Sequence, residues 1–291
     1  MSTRAVTPAA SGDRTSTHVS SSATTRSGVG GRIPRVLLAP AALAVALLTL
    51  PLLALLPRVD WANAPQAVTS PEALAALSLS LRTGLVAVGC CVILGIPLAL
   101  VLARATGPVA ATLRVLVTLP LVLPPLVGGL ALLYLFGRHG WLGQALDVVG
   151  ISVPFSTAAV VLAQTFVALP FLVISLEGAL RTAGTRYATV AATLGASRWT
   201  VLRRVTLPLA APGLLAGTVL AFARAVGEFG ATAMVAGNAP GRTQTIPMAI
   251  YTAFNGAGVS RDSALALAVL LVLVALVILI GLRDWRRREA W

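Results

Sequence analysis

Apolar runs of about 20 residues, the length that crosses the hydrocarbon core of a bilayer, constrain this chain more than any other feature. They fall at 36–56, 80–103, 113–136, 156–176, 209–232 and 264–282. Lipid offers no partner to a backbone N–H or C=O, so runs of this length must satisfy their polar groups internally as helices. The expected fold is all-α and integral to a membrane, with six transmembrane helices. A soluble fold is excluded by composition, because only 11% of the residues are charged and 57% are hydrophobic. A soluble domain carries roughly 25% charged residues.

The formal charge of +13 comes from 22 basic residues, all of them arginine, against 9 acids. On a soluble protein such an excess would suggest nucleic acid; here its distribution gives topology instead. With the N-terminus inside, sixteen of the 22 arginines fall in inner segments and four in outer loops. The positive-inside bias therefore places both termini and the segment 177–206 in the cytoplasm. Residues 1–33 are rich in Ser, Thr, Gly and Arg, bury too little to offset chain entropy and are expected to be a disordered tail. No small-residue cleavage site stands out after the first run, which reads as a retained anchor. A membrane domain over 34–285 and a short C-terminal tail over 286–291 complete the organisation. The adjacent Cys90 and Cys91 point about 100° apart on a helix and read as packing residues.

The segment after the fourth run differs from its surroundings. "RYATVAATLGASRWTVLRRVTLPLAAPG", 186–213, is small-residue-rich, holds four arginines and stays helical in pattern. Tyr187, Val190, Ala191 and Leu194 recur at i, i+3, i+4 and i+7, the stripe of a short amphipathic helix. Gly195 follows as a stop, Ser197 can cap a new helix, and Leu207 and Pro208 mark the start of the next span. A stripe of Ala and Val permits close approach by another protein surface; an interfacial helix on lipid has the same stripe with bulkier anchors.

This loop resembles the EAA motif of ABC-importer permeases: Glu-Ala-Ala, three residues, Gly, nine residues, an aliphatic, one residue, Leu-Pro. Ala191, Gly195, Val205, Leu207 and Pro208 stand at matching positions, while Thr189 and Val190 replace the usual Glu and first Ala. The resemblance implies that Tyr187, Ala191, Leu194, Gly195, Arg198, Leu207 and Pro208 belong to a coupling element that docks in a groove of a cytoplasmic ATPase. It also implies the type I ABC importer permease fold.

A second stretch, "FARAVGEFGATAMVAGNAPGRTQTIPMAIY" at 222–251, resembles molybdate and tungstate permeases, as does "LPLVLPPLVGGLALLYLFGRHGWLG" at 119–143. Sulfate and thiosulfate permeases are close relatives. Charges retained in hydrocarbon usually face a partner or a water-filled path. Arg224 and Glu228 lie four apart on one helix face and can partly neutralise each other, while Gly227 and Gly230, flanking Glu228 and Phe229, allow close packing or a helix break. Two readings fit these five residues: a pathway or gate segment, or an ion pair that only stabilises the fold. Pro120, Pro124 and Pro125 with Gly128 and Gly129 interrupt the third run, as happens where a span borders a cavity and also in ordinary kinking without transport meaning.

No GxxxxGK[ST] phosphate loop occurs, and no nucleophile–base pair or metal constellation is visible, so an enzyme is not expected and this chain should bind no cofactor. The resemblance implies borrowed parts: a second copy of the chain, two cytoplasmic ATPase subunits carrying ATP and magnesium, and an external oxyanion-binding protein. The expected location is a bacterial plasma membrane, and nucleic acid is not an expected partner.

Overall fold

The computed structural model describes residues 35–258 and 260–288; the expected tail 1–33 and residues 289–291 lie outside them. The described elements are helical: α1 (Leu38–Leu53), α2 (Ala64–Val68), α3 (Pro71–Arg104), α4 (Gly107–Val122), α5 (Pro125–Phe136), α6 (Trp141–Asp147), α7 (Thr157–Ala183), α8 (Arg186–Thr193), α9 (Arg198–Val201), α10 (Leu207–Val226), α11 (Gly230–Ala236), α12 (Ile246–Phe254) and α13 (Arg261–Arg288). Residues up to Leu50 are a unit by themselves, and Pro51–Trp291 are the other.

The long helices start where capping chemistry puts them. Ser70 Oγ accepts from the N–H of Ala73 and Pro71 opens α3; Ser156 Oγ accepts from Ala159 and opens α7. In both, a side-chain oxygen satisfies an N–H that the first turn leaves unpaired. Arg104 closes α3, where a cation meets the negative end of the helix dipole.

The core is built from small residues, which let backbones approach in a protein whose outer surface is as apolar as its inside. Ala87, Cys91, Ala99 and Leu102 of α3 join Ala168, Leu172, Val173 and Leu176 of α7 and Ala210, Ala221 and Ala225 of α10 in one buried cluster. A Cβ on Gly217 would stand 3.0 Å from Leu172 Cα and 3.1 Å from its carbonyl oxygen, and one on Gly95 would stand 2.6 Å from Leu172 Cδ2. The middle of α7 is therefore held between α3 and α10.

The span reading needs correction in places. Four helices have the length and composition of a span, five if a bent pair counts as one. The run 264–282 falls within α13, part of which lies outside the described side chains. The bent pair is the third predicted run: α4 and α5 meet at 113° instead of continuing as one helix over 113–136. The cause is local. Leu123 and Pro124 each precede a proline, which disfavours the helical region, and both are extended, with ψ of 136° and 132°. At 12 residues α5 is roughly 18 Å long, too short to cross alone. The fourth run does not stop at 176; α7 continues to Ala183. The fifth breaks after Val226.

Candidate functional site

Three features of the described structure bear on function: the loop between α7 and α10, an ion-pair node beneath it, and the break between α10 and α11.

The loop departs from α7 at Gly184, whose φ of +65° and ψ of −169° suit only glycine. α8 follows and ends in a left-handed turn at Gly195, φ +84°. The Gly195 N–H donates to the Ala192 carbonyl at 3.0 Å and the Ala196 N–H to that of Ala191 at 3.1 Å, the paired bonds that satisfy the last carbonyls of a helix. Ser197 Oγ then accepts from the Thr200 N–H at 3.2 Å, so the predicted cap is present, with Arg198 exposed in the turn it starts. The predicted stripe is split between two faces. Tyr187, Val190 and Leu194 point outward as an exposed apolar ridge, Leu194 at 83% exposure, while Ala191 is half-buried. Ala188 faces inward, lining a cavity with Leu180 and Thr206.

Leu207 and Pro208 do not begin a separate helix. The helix is continuous from Arg198 to Val226 through a π turn at Leu202–Thr206, in which the Leu207 N–H reaches back to the Leu202 carbonyl. Pro208 explains the wider turn: it has no N–H, and its ring crowds the carbonyl four residues earlier, that of Arg204. Leu207 is half-buried and Pro208 exposed.

Beneath the loop, Glu177 Oε1 receives Arg114 Nε at 2.8 Å and Arg181 Nε at 3.0 Å. Arg114 Nη2 also donates to the carbonyls of Leu102 at 2.8 Å and Ala105 at 3.1 Å, capping the end of α3. One carboxylate thus ties together α4, α7 and the end of α3. The fourth apolar run, ending at 176, leaves Glu177 in the segment assigned to the cytoplasm, and nothing in that assignment points to this node. Its local half was legible, since Glu177 and Arg181 stand in the favourable acid-before-base order at i, i+4. Arg114, 63 residues distant, left no local signal.

At the other feature, Arg224 and Glu228 form the anticipated ion pair, though not on one helix face. α10 ends at Gly227, and Glu228 sits in the break, 1% exposed. Its Oε1 accepts from the Ala231 N–H at 2.7 Å, satisfying an unpaired donor at the start of α11, while Oε2 meets Arg224. The carboxylate therefore holds both sides of the break. Phe229 packs on Tyr251 of α12, with ring centroids 4.9 Å apart. The two interrupted runs also meet: a Cβ on Gly230 would stand 2.9 Å from Pro125 Cβ, and one on Gly129 would stand 2.6 Å from the Ala231 carbonyl oxygen. Nearby on packed faces, Gln164 and Thr232 are fully buried without a hydrogen-bond partner among the described residues.

The family model described as binding-protein-dependent transport system inner membrane component matches residues 95–288, which contain all three features. The chain belongs to that family. Over 249 residues it is 53% identical to the molybdenum transport system permease protein ModB of Mycobacterium tuberculosis, covering 86% of this chain and 93% of that protein. It is 34% identical over 248 residues to a probable sulfate transport system permease protein, cysT, of Zygnema circumcarinatum, covering 84% and 86%. Among solved structures, a bacterial ABC transporter involved in the import of the acidic polysaccharide alginate shares the fold at a TM-score of 0.63 and 18% identity, over 87% of this chain and 94% of that one. This permease is thus a membrane component of a transporter, with the all-α importer permease fold expected from the sequence.

Proposed function

We propose that this permease is the membrane subunit of an ATP-driven, binding-protein-dependent importer that moves molybdate into the cytoplasm. The observation that carries the substrate is the much higher identity to a molybdenum permease than to a sulfate permease at similar coverage. Two copies of the chain form the pathway, two ATPase subunits carrying ATP and magnesium drive it, and an external oxyanion-binding protein delivers the cargo. Both termini and the loop at α8 face the cytoplasm, as the arginine distribution favours.

The mechanism is alternating access. The exposed ridge of Tyr187, Val190 and Leu194 enters a groove of the ATPase, with Gly195 and Arg198 at its edge. Closure of the ATPase dimer displaces α8. That displacement reaches the membrane by two routes: through Gly184 and the Glu177 node into α7 and α4, and through the continuous helix Arg198–Val226 into the break. The break, held by Glu228 against Arg224 and the α11 N–H, is the gate segment, with Gly227, Phe229 and Gly230 allowing it to repack against α5 and α12. Selectivity lies mainly on the binding protein, because a path that held a dianion tightly would not release it.

Uptake of labelled molybdate by cells with and without this gene tests the reading. The expected result is loss of uptake in the deletion, with competition by excess tungstate and not by sulfate. Unchanged molybdate uptake, together with lost sulfate uptake, would move the substrate to sulfate.

A further inference from the structure

A cavity of about 250 Å³ opens at the loop end of the permease, between the end of α3, the end of α7 and the inner face of α8. Its lining differs from that of the grooves between α10 and α13 and between α4 and α7, which are faced by aliphatic and aromatic side chains. Here two arginines, Arg104 and Arg181, and three threonines, Thr106, Thr185 and Thr206, line the cavity together with Gly184. Arg181 shares the Glu177 carboxylate with Arg114, and Arg104 has no carboxylate partner among the described residues. Two arginines share the one carboxylate and a third lines the cavity, so positive charge is in excess at this end among the described residues. Thr206 Oγ1 is shielded from solvent and has no hydrogen-bond partner among the described residues.

We infer that this cavity is a binding site for a tetrahedral oxyanion, either a free ion or the phosphate of an anionic lipid headgroup. The chemistry fits on each count. Guanidinium groups match phosphate-like oxygens in charge and geometry, and threonine hydroxyls donate to the oxygens that the arginines leave. Basic pockets between helix ends are the usual seat of anionic headgroups. An occupant would bridge Arg104 on α3, Arg181 on α7 and Thr185 beside α8, neutralising the excess charge and stiffening the joint between the loop and the long helices.

The test uses the full-length permease purified without its partners, and it reads binding, so it stands apart from the uptake experiment and survives a change of transported substrate. Thermal unfolding is followed in neutral detergent with inorganic phosphate or molybdate titrated against chloride, and in nanodiscs of phosphatidylglycerol against phosphatidylcholine. A saturable rise in midpoint is expected from at least one source, with the apparent affinity about tenfold weaker in Arg104→Gln. A rise with the free ions alone assigns the site to a soluble oxyanion; a rise with phosphatidylglycerol alone assigns it to a lipid headgroup. If neither source shifts the midpoint, or if Arg104→Gln shifts as the native chain does, the site is refuted. Thr185→Val, at the opposite wall, supplies the same comparison should Arg104→Gln fail to fold.

Discussion

Glu228 is a charge kept at 1% exposure in a chain where burying a carboxylate is tolerated only with partners on each oxygen. It has them, in Arg224 and the Ala231 N–H. Glu228→Ala strands Arg224 and an N–H together, and because the Arg224 side chain remains 28% exposed, the loss should be about 2–3 kcal/mol rather than the upper end for buried pairs. Adding Arg224→Ala to it should recover part of that loss, a coupling that thermal unfolding of the two single variants and the double one measures. At the other node, Glu177→Gln removes the charge that holds Arg114 and Arg181; both arginines are partly solvated, so about 1 kcal/mol is expected, visible as a lower unfolding midpoint. The five residues from Arg224 to Gly230 could be singled out by sequence because charge and paired glycines are rare in an apolar run. The Glu177 node was half visible, because its second arginine comes from another helix.

Elements are held by what their glycines permit. Gly217 faces the backbone of Leu172, which cannot yield as a side chain can, so Gly217→Val should force α10 from α7 and cost about 2 kcal/mol or more. Gly89, in the same membrane region on α3, has nothing among the described residues within 4 Å of the position its Cβ would take; Gly89→Ala should be neutral or stabilise by up to about 1 kcal/mol. Melting of the purified variants separates the two, and equal behaviour would contradict the packing described. Helix existence was legible from the apolar runs, and the cap at Ser197 and stop at Gly195 from residue type alone. The continuity across Pro208 was not, because a π turn leaves no periodic signature. Nor was the 113° bend of α4 on α5: adjacent prolines announce an interruption and leave its angle open.

For the whole molecule, an exposed apolar ridge on the loop is connected through the continuous helix Arg198–Val226 to a break held by a buried charge. Family membership and the fold could be anticipated because the loop and the "GEFGAT" stretch keep their spacing in sequence. The juxtaposition of the two interrupted runs came only from tertiary packing. The most direct test of the account is the ratio of ATP hydrolysed to molybdate transported, measured in proteoliposomes containing the full complex, for Gly195→Asn and Gly195→Val. Asparagine tolerates the left-handed φ of +84° that Gly195 adopts, and valine, being β-branched, does not. Near-native coupling in Gly195→Asn and continued hydrolysis with transport reduced at least about tenfold in Gly195→Val is the result this account predicts. Tight coupling in Gly195→Val, with the permease fully assembled, would contradict it and place the entry of force elsewhere.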